Sequence, residues 1–474
     1  MENLRKFYID GKWVTPHSAQ SFAVTNPATE EIIDTMILGD RKDVDRAVEA
    51  ALRAFYSFSQ TTKTDRLDLL QALLVESRRR MDDMVQAMTL EMGVPVTFSR
   101  EMQADAAIGH LEGFIEAHKA QELREDLGNG DVIVREPIGV CGLITPWNWP
   151  INQVALKVIP AIATGCSCIL KPSEYTPLSA VVYAEIIDAA GIPAGVFNLV
   201  QGDGPTVGAG LAAHPDVHMM SFTGSSRAGK AVMKASADTI KRVTLELGGK
   251  SPDLVFADCD VPVRVRDTVL NCFSNTGQSC DAPTRMLVER SVYDQAVAIA
   301  RDTALSQRVD DPNKEGDHLG PLFDQIQYDR VQRLIQIGLD EGAKLVAGGL
   351  GRPDGFDRGW YVKPTVFADV NNTMEIAQEE IFGPVIVLMP FDSEEEAIEI
   401  ANDTPYGLAA YIECGDPARA ERIAARLRVG AVHINGAGYQ YGSPFGGYRQ
   451  SGNGREGGMM GLEDYQEVKT LHIA

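Results

Sequence analysis

Cysteine is scarce in this chain. Seven thiols in 474 residues, an odd number with no CxxC pair, exclude a disulfide framework and give no zinc-binding spacing, so no metal is expected. Basic residues are outnumbered, 44 lysines and arginines against 66 aspartates and glutamates, and a net charge of −22 opposes a nucleic-acid backbone as partner. No apolar run reaches the length of a membrane span, and the first six residues lead into Phe7-Tyr8-Ile9 without the apolar core of a secretory leader. Neither a membrane partner nor export is expected, which places the protein in the cytoplasm. No internal repeat is present. The one biased segment, the glycine-rich stretch 446–461, reads as a set of tight turns, because Phe445 and Tyr448 need something to pack on.

What is present fills more than one core. The length, with 44% apolar residues, implies two or three packed units. A small β unit is expected at 7–9 and 22–24, followed by a helix over 43–58 and an amphipathic helical stretch over 65–92 carrying Leu67, Leu70, Leu73, Leu74 and Met81. From Val140 to Gly248 short apolar strands (140–144, 168–170, 196–200, 219–222, 243–245) alternate with helical patterns. A second alternation follows, with strands at 254–256, 286–288, 385–388 and 431–434. Such alternation predicts an α/β fold of parallel strands with helical crossovers, whose ligands bind beyond the strands' C-terminal ends. Two strands, 132–134 and 467–473, stand outside both alternations. They either pair with another subunit or fold back as an ordinary hairpin. Cys166 and Cys168 fall on one face of a strand and are read as packing residues.

Chemistry is expected around Cys280, in Phe273-Ser274-Asn275-Thr276-Gly277-Gln278-Ser279-Cys280-Asp281. The turn at Gly277 offers backbone amides that would lower a thiol's pKa and make it a nucleophile. Upstream, Glu246 lies at the end of a β-like run, in Thr244-Leu245-Glu246-Leu247-Gly248-Gly249-Lys250, as a general base or as a salt-bridge partner of Lys250. Phe222-Thr223-Gly224-Ser225 follows a strand and opens a helix, a place suited to a pyrophosphate, although the spacing is GxxxxG and not GxGxxG. Lys171 and Glu174 sit just past another strand. A carboxylate there accepts from ribose hydroxyls and repels a 2′-phosphate, which favours NAD with NADP tolerated.

The Glu246 segment followed by the Cys280 segment resembles the aldehyde dehydrogenase superfamily. Pro146-Trp147-Asn148-Trp149-Pro150, Lys171-Pro172-Ser173-Glu174, Phe222 to Ser225, Glu380-Ile381-Phe382-Gly383-Pro384 and Pro444-Phe445-Gly446-Gly447-Tyr448 are similar to further family motifs, in the family's order. The resemblance spans nearly the whole chain. It implies a Rossmann-like cofactor domain (1–118 and 138–249), a second α/β catalytic domain (250–449), and a small β oligomerisation arm with a C-terminal tail (119–137 and 450–474). It also implies oxidation of an aldehyde to a carboxylic acid by a homodimer or homotetramer.

By the same resemblance, Cys280 is the nucleophile, Glu246 the base that activates water, and the Asn148 amide with the Cys280 N–H the oxyanion donors. Ser225 and Trp147 are assigned to the pyrophosphate, Lys171 and Glu174 to the adenine ribose, Gly204 and Gly208 to the approach of the adenine, and Glu380 with Phe382 to the nicotinamide riboside. Ile144, Thr145, Phe222, Thr223, Gly224 and Leu247 complete the cofactor set. Lys157 and Glu456 match an outer proton relay or a plain ion pair. Trp149, Asn152, Gln153, Leu156, Ser279, Asp281, Tyr439 and Phe445 would line the aldehyde tunnel, a wall suited to a medium-sized, partly polar or aromatic aldehyde. Asp281 departs most from the family, since an acid beside the nucleophile opposes its ionisation. A coenzyme A-acylating enzyme and a catalytically silent binding protein are the competing readings; a carboxylate at Glu246 favours hydrolysis to a free acid.

Overall fold

The computed structural model describes residues 2–473. Two parallel sheets carry the fold. The first runs in the order Gly452–Asn453, Arg242–Glu246, Met219–Thr223, Val140–Ile144, Ser167–Lys171, Phe197–Leu199, Phe7–Ile9, Lys12–Val14. Its five inner strands are parallel, and both edges are antiparallel. These inner strands are apolar because helices cover both faces, so they read in sequence as short runs and not as alternation. The chain order reverses between Val140–Ile144 and Met219–Thr223. At that reversal the loops beyond the two strands diverge to opposite sides and open a crevice.

The second sheet runs Lys344–Ala347, Thr365–Ala368, Val385–Phe391, Arg285–Glu289, Pro252–Val255, Ala409–Glu413, Ala431–Ile434, parallel apart from its first pair. Each sheet has its own hydrophobic core, around Leu143 and Leu170 in one and around Leu254, Leu287 and Val387 in the other. Among the described residues no helix is long and apolar enough to cross a membrane.

Helix Arg41–Phe58 starts where Asp40 and Asp43 form a capping box, and Thr62 with Asp65 does the same for Lys63–Arg79. The helical stretch expected over 65–92 is two helices. Arg80, at φ −100°, ends the first and opens Met81–Met92, so the two apolar stripes face different neighbours. The small N-terminal β unit is also corrected: Phe7–Ile9 pairs with Phe197–Leu199 at the edge of the first sheet, while Ser21–Asn26 and Glu31–Ile37 form a separate hairpin.

The two strands outside the alternations pair with each other. Gln466–His472 runs antiparallel to Asp131–Pro137, with Leu471 opposite Val132, and Arg124–Asp126 adds a third strand. Cys166 and Cys168 are fully buried. The glycine-rich stretch is a set of turns: Gly446, Gly452, Gly454, Gly457 and Gly458 all hold positive φ. Gly452–Asn453 pairs with the strand that ends in Glu246.

Candidate active site

Helix Val261–Phe273 stops at a turn in which Asn275 (φ 53°), Thr276 (φ 56°) and Gly277 (φ 71°) are all left-handed. A β-branched residue at positive φ is costly, so tertiary contacts must hold this turn. At Gly277 a Cβ would stand 2.1 Å from the Gly383 carbonyl oxygen. The Asn275 amide donates to the carbonyls of Asn148 (2.9 Å) and Gln278 (3.2 Å). Gln278 donates to the Asn275 carbonyl (3.0 Å) and accepts from the Phe323 N–H (3.0 Å). The loop thus delivers half-buried Cys280 with its carbonyl against Gly249, where a Cβ would lie 2.4 Å away.

Asn148 lies between strand Val140–Ile144 and helix Pro150–Thr164. Its Nδ2 donates to the Gln278 carbonyl at 3.0 Å, and the neighbouring Trp149 indole donates to Ser279 Oγ at 2.9 Å.

Cys280, Asn148 and Glu246 line one cavity of about 520 Å³ beyond the C-terminal ends of the first sheet's strands. Trp147, Trp149, Gln153, Thr223, Gly224, Ser225, Leu247, Glu380 and Phe382 share its wall, and so do Ser226, Arg227, Gln327, Arg330, Glu379 and Tyr406, to which sequence reading gave no individual role. Gln327 and Arg330 lie on an ordinary amphipathic helix, Gln325–Asp340, and reach the site only by tertiary packing. Asn275 and Gln278 had a legible cue, two amides flanking a glycine just before the thiol.

The electrostatics run against an ionised thiol in the free site. Burial, then Asp281, Glu380 and Glu246, push the Cys280 thiol well above its usual range, and only its own N–H works the other way. The expectation that loop amides alone would lower this pKa is therefore corrected: three carboxylates and desolvation outweigh them. Glu246 is 4% exposed, and neither carboxylate oxygen has a hydrogen-bond partner. Burial, then Glu456, raise its pKa well above the carboxylate range. It forms no bridge to Lys250, whose ammonium is buried and unpartnered, with burial lowering its pKa to about 7. Lys157 instead pairs with Glu456 and donates to Ser221 at 3.2 Å. Glu380 turns inward. Its carboxylate accepts from the Gly249 N–H at 3.1 Å, a Cβ on Gly248 would meet it at 2.4 Å, and burial pushes it up to about 7.

The residues assigned to a dinucleotide form two groups. Trp147 stacks on Phe323 at 3.6 Å between ring centres, with Phe382 (φ 61°) edge-on at 5.4 Å. Beside them Ser225 caps helix Ser226–Ser236 by accepting from the Ala228 N–H at 3.3 Å, and the buried Thr223 hydroxyl has no partner. A helix N-terminus with an orphaned hydroxyl and Arg227 at the wall fits a pyrophosphate. Outside this wall, Lys171 Nζ donates to Glu174 (3.1 Å) and to the Gly202 carbonyl (2.7 Å). Thr145 N–H donates to the Lys171 carbonyl at 3.2 Å. Gly208 leaves a space that a Cβ would fill to 3.6 Å from Ile144 and 3.8 Å from Lys171, whereas Gly204 is open on all sides.

Of the residues expected to line the tunnel, Trp149 and Gln153 reach the cavity. Leu156 packs into the hydrophobic core, and Asn152, Ser279, Asp281, Tyr439 and Phe445 lie outside the cavity wall. Tyr439 belongs to an aromatic cluster with Phe445 (6.1 Å) and His110 (5.8 Å), and Tyr441 packs edge-on against His110 (5.1 Å). His110 and Tyr441 carried no sequence cue. The Asp281 carbonyl accepts from the Tyr411 hydroxyl at 3.1 Å.

The family model described as "Aldehyde dehydrogenase family" matches residues 13–471. A 3-succinoylsemialdehyde-pyridine dehydrogenase from Pseudomonas sp is 50% identical over 472 residues, covering 99% of each chain. An aldehyde dehydrogenase from Bartonella henselae is 47% identical and superposes with a TM-score of 0.98, covering 99% of both chains. A variant of aldehyde dehydrogenase C from Pseudomonas syringae, solved with NAD+ and octanal, is 47% identical with a TM-score of 0.98, covering 99% of this chain and 97% of that one. The sheet order, the cavity at its switch point and these likenesses agree: the chain belongs to the aldehyde dehydrogenase family and oxidises aldehydes to carboxylic acids with NAD+.

Proposed function

We propose that Cys280 is the nucleophile of this oxidation, Asn148 the oxyanion donor and Glu246 the base that releases the acid. The observation that carries the reading is that these three side chains, far apart in sequence, line one cavity. Once the Cys280 thiol has released its proton to solvent, Sγ adds to the aldehyde carbon, the C=O pair moves to oxygen, and Asn148 Nδ2 with the Cys280 N–H holds the oxyanion of the thiohemiacetal. Trp147, Ser225 and Glu380 would hold NAD+, whose nicotinamide would supply the hydride acceptor, and loss of hydride from the thiohemiacetal carbon would leave a thioester on Cys280. Glu246 takes a proton from water, and the resulting hydroxide hydrolyses the thioester to acid and free thiol. Lys157 and Glu456, paired beside it, supply a route by which that proton leaves.

The cofactor residues are the two groups described above, and Glu174 beside Lys171 favours NAD+ over NADP+ by opposing a 2′-phosphate. The substrate is a medium-sized, uncharged aldehyde with an aromatic or partly polar body. The indole of Trp149 and the unpartnered amide oxygen of Gln153, both on the cavity wall, support this, and the acids Glu246 and Glu379 on the same wall oppose a carboxylate-bearing substrate. The Pseudomonas relative is named for a semialdehyde joined to a pyridine, a body of that size and kind. The first sheet and the segments around it form the cofactor domain, residues 250–449 the catalytic domain, and the three-stranded sheet an arm that joins subunits into a homodimer or homotetramer in the cytoplasm.

The test is NADH formation with NAD+, without coenzyme A, across alkanals, benzaldehyde-like, amino-substituted and carboxylate-bearing aldehydes. Neutral aromatic aldehydes are expected to give the highest kcat/KM and carboxylate-bearing ones the lowest. An absolute requirement for coenzyme A would overturn the hydrolytic step, and a preference for anionic aldehydes would overturn the substrate class.

A further inference from the structure

Gln103 lies in the π-helical turn Ser99–Ala104, more than forty residues before Asn148, and its side chain is fully buried. Its Nε2 uses one hydrogen on the Asn148 carbonyl (3.2 Å) and the other on Asn275 Oδ1 (3.1 Å). Asn275 donates to the same Asn148 carbonyl at 2.9 Å. At its other end, Asn148 Nδ2 donates one hydrogen to the Gln278 carbonyl at 3.0 Å and keeps one for a ligand. Asn148 is therefore clamped at its carbonyl by two carboxamides and at its side chain by the loop that carries Cys280.

The Gln103 amide is only partly satisfied. Its Oε1 is buried without a partner, a state that costs free energy and offsets part of what its two donated bonds contribute. An unsatisfied buried amide that persists in a fold is a local inconsistency, and such inconsistencies gather at functional sites. π-Helical turns gather there too. The turn places Gln103 where it joins the Asn148 loop to the Cys280 loop, so it sets the distance between oxyanion donor and nucleophile.

We propose that Gln103 is a positioning residue for the oxidation, fixing Asn148 against the Cys280 loop through the Asn148 carbonyl and Asn275. The inference rests on the reading of Asn148 as the oxyanion donor. Gln103→Met keeps the length and removes the donor; Gln103→Leu is a second, shorter replacement. Each is expected to lower kcat about ten- to hundredfold, the scale of a misplaced catalytic group, with the KM for NAD+ unchanged and the protein still folding cooperatively at a somewhat lower melting temperature, because Asn275 Oδ1 loses its donor.

In a double-mutant cycle, Gln103→Met is expected to add little to Asn148→Ala, because it acts through that residue. Four results would overturn the proposal: wild-type kcat in Gln103→Met, unfolding of both variants, a rise in KM for NAD+ that accounts for the loss, or full additivity with Asn148→Ala. If Asn148→Ala keeps wild-type kcat, the oxyanion reading itself fails. If Asn148→Ala is impaired and Gln103→Met is not, only the role of Gln103 fails.

Discussion

Cys280 and Glu246 line one cavity, and the Glu246 carboxylate helps to hold the proton on the thiol. In their proposed roles both must lose a proton, and burial with neighbouring carboxylates raises both pKa values. Turnover at saturating NAD+ is therefore expected to be low at acid pH and to climb through neutrality into the alkaline range; a rate flat from pH 6 to 9 would contradict this. Cys280→Ala should abolish NADH formation while sparing NAD+ binding, read by calorimetry. Glu246→Gln should give one burst of NADH and then slow by about two to four powers of ten, the usual scale of general-base catalysis; steady turnover at the wild-type rate would remove Glu246 from that role. Cys280, Glu246 and Asn148 were legible in sequence because each sits in a contiguous segment with its own glycines or aromatics. Gln103, Gln327 and Arg330 were not. Nothing in the residues around them differs from an ordinary helix face, and only tertiary contact brings them to the site. The sign of the Cys280 shift was misjudged because its largest cause, burial, and the approach of Glu380 from the loop before Val385–Phe391 are tertiary, although Asp281 beside the thiol was legible.

At the scale of elements, the turn Ser274–Gly277 is the junction on which the site depends. Asn275 and Thr276, both left-handed, store strain, which the contacts of Asn275, Thr276 and Gln278 offset. Gly277→Ala would drive a Cβ into the Gly383 carbonyl, so it should destabilise the protein by at least about 2 kcal/mol and displace Phe382 from the cleft. Urea unfolding with tryptophan fluorescence measures the first effect, and a wild-type midpoint would show the turn to be adaptable. The strands of the first alternation were readable because burial on both faces makes them apolar runs. Lys344–Ala347, Thr365–Ala368 and Ala409–Glu413 were missed. The first is mostly exposed at an edge, and the others are only four and five residues long, too short for Val366 and Phe367, or Tyr411 and Ile412, to set a period. The join in the helical stretch at Arg80 was equally silent, since arginine is a good helix former.

For the whole molecule, the three-stranded sheet leaves Gln466–His472 and Arg124–Asp126 as open edges, with Val468 63% and Ile473 53% exposed. Open edges and bare apolar side chains are what an assembly covers. Light scattering is expected to give two or four times the chain's mass, and Val468→Asp should shift it toward one; a monomeric wild type would end the proposal for this arm. Sequence reading found both strands of this arm but not their mutual pairing, because register across more than three hundred residues has no local mark.

One contact in the fold bears on how the protein is made. The strand carrying Glu246 is completed by Gly452–Asn453, and the turn after it is fastened by Ser451, whose hydroxyl donates to the Gly248 carbonyl at 2.7 Å from 203 residues away. Translation proceeds from the N-terminus, so Cys280, Glu246 and the crevice all emerge while the segment that seats the base is still unmade. A nascent chain could bind dinucleotide early, yet it would lack a fixed base for clearing an acylated thiol. With Glu246 as the proposed base, a chain that stalls before Ser451 is expected to turn over poorly, because the contacts that fasten the Glu246 strand are missing.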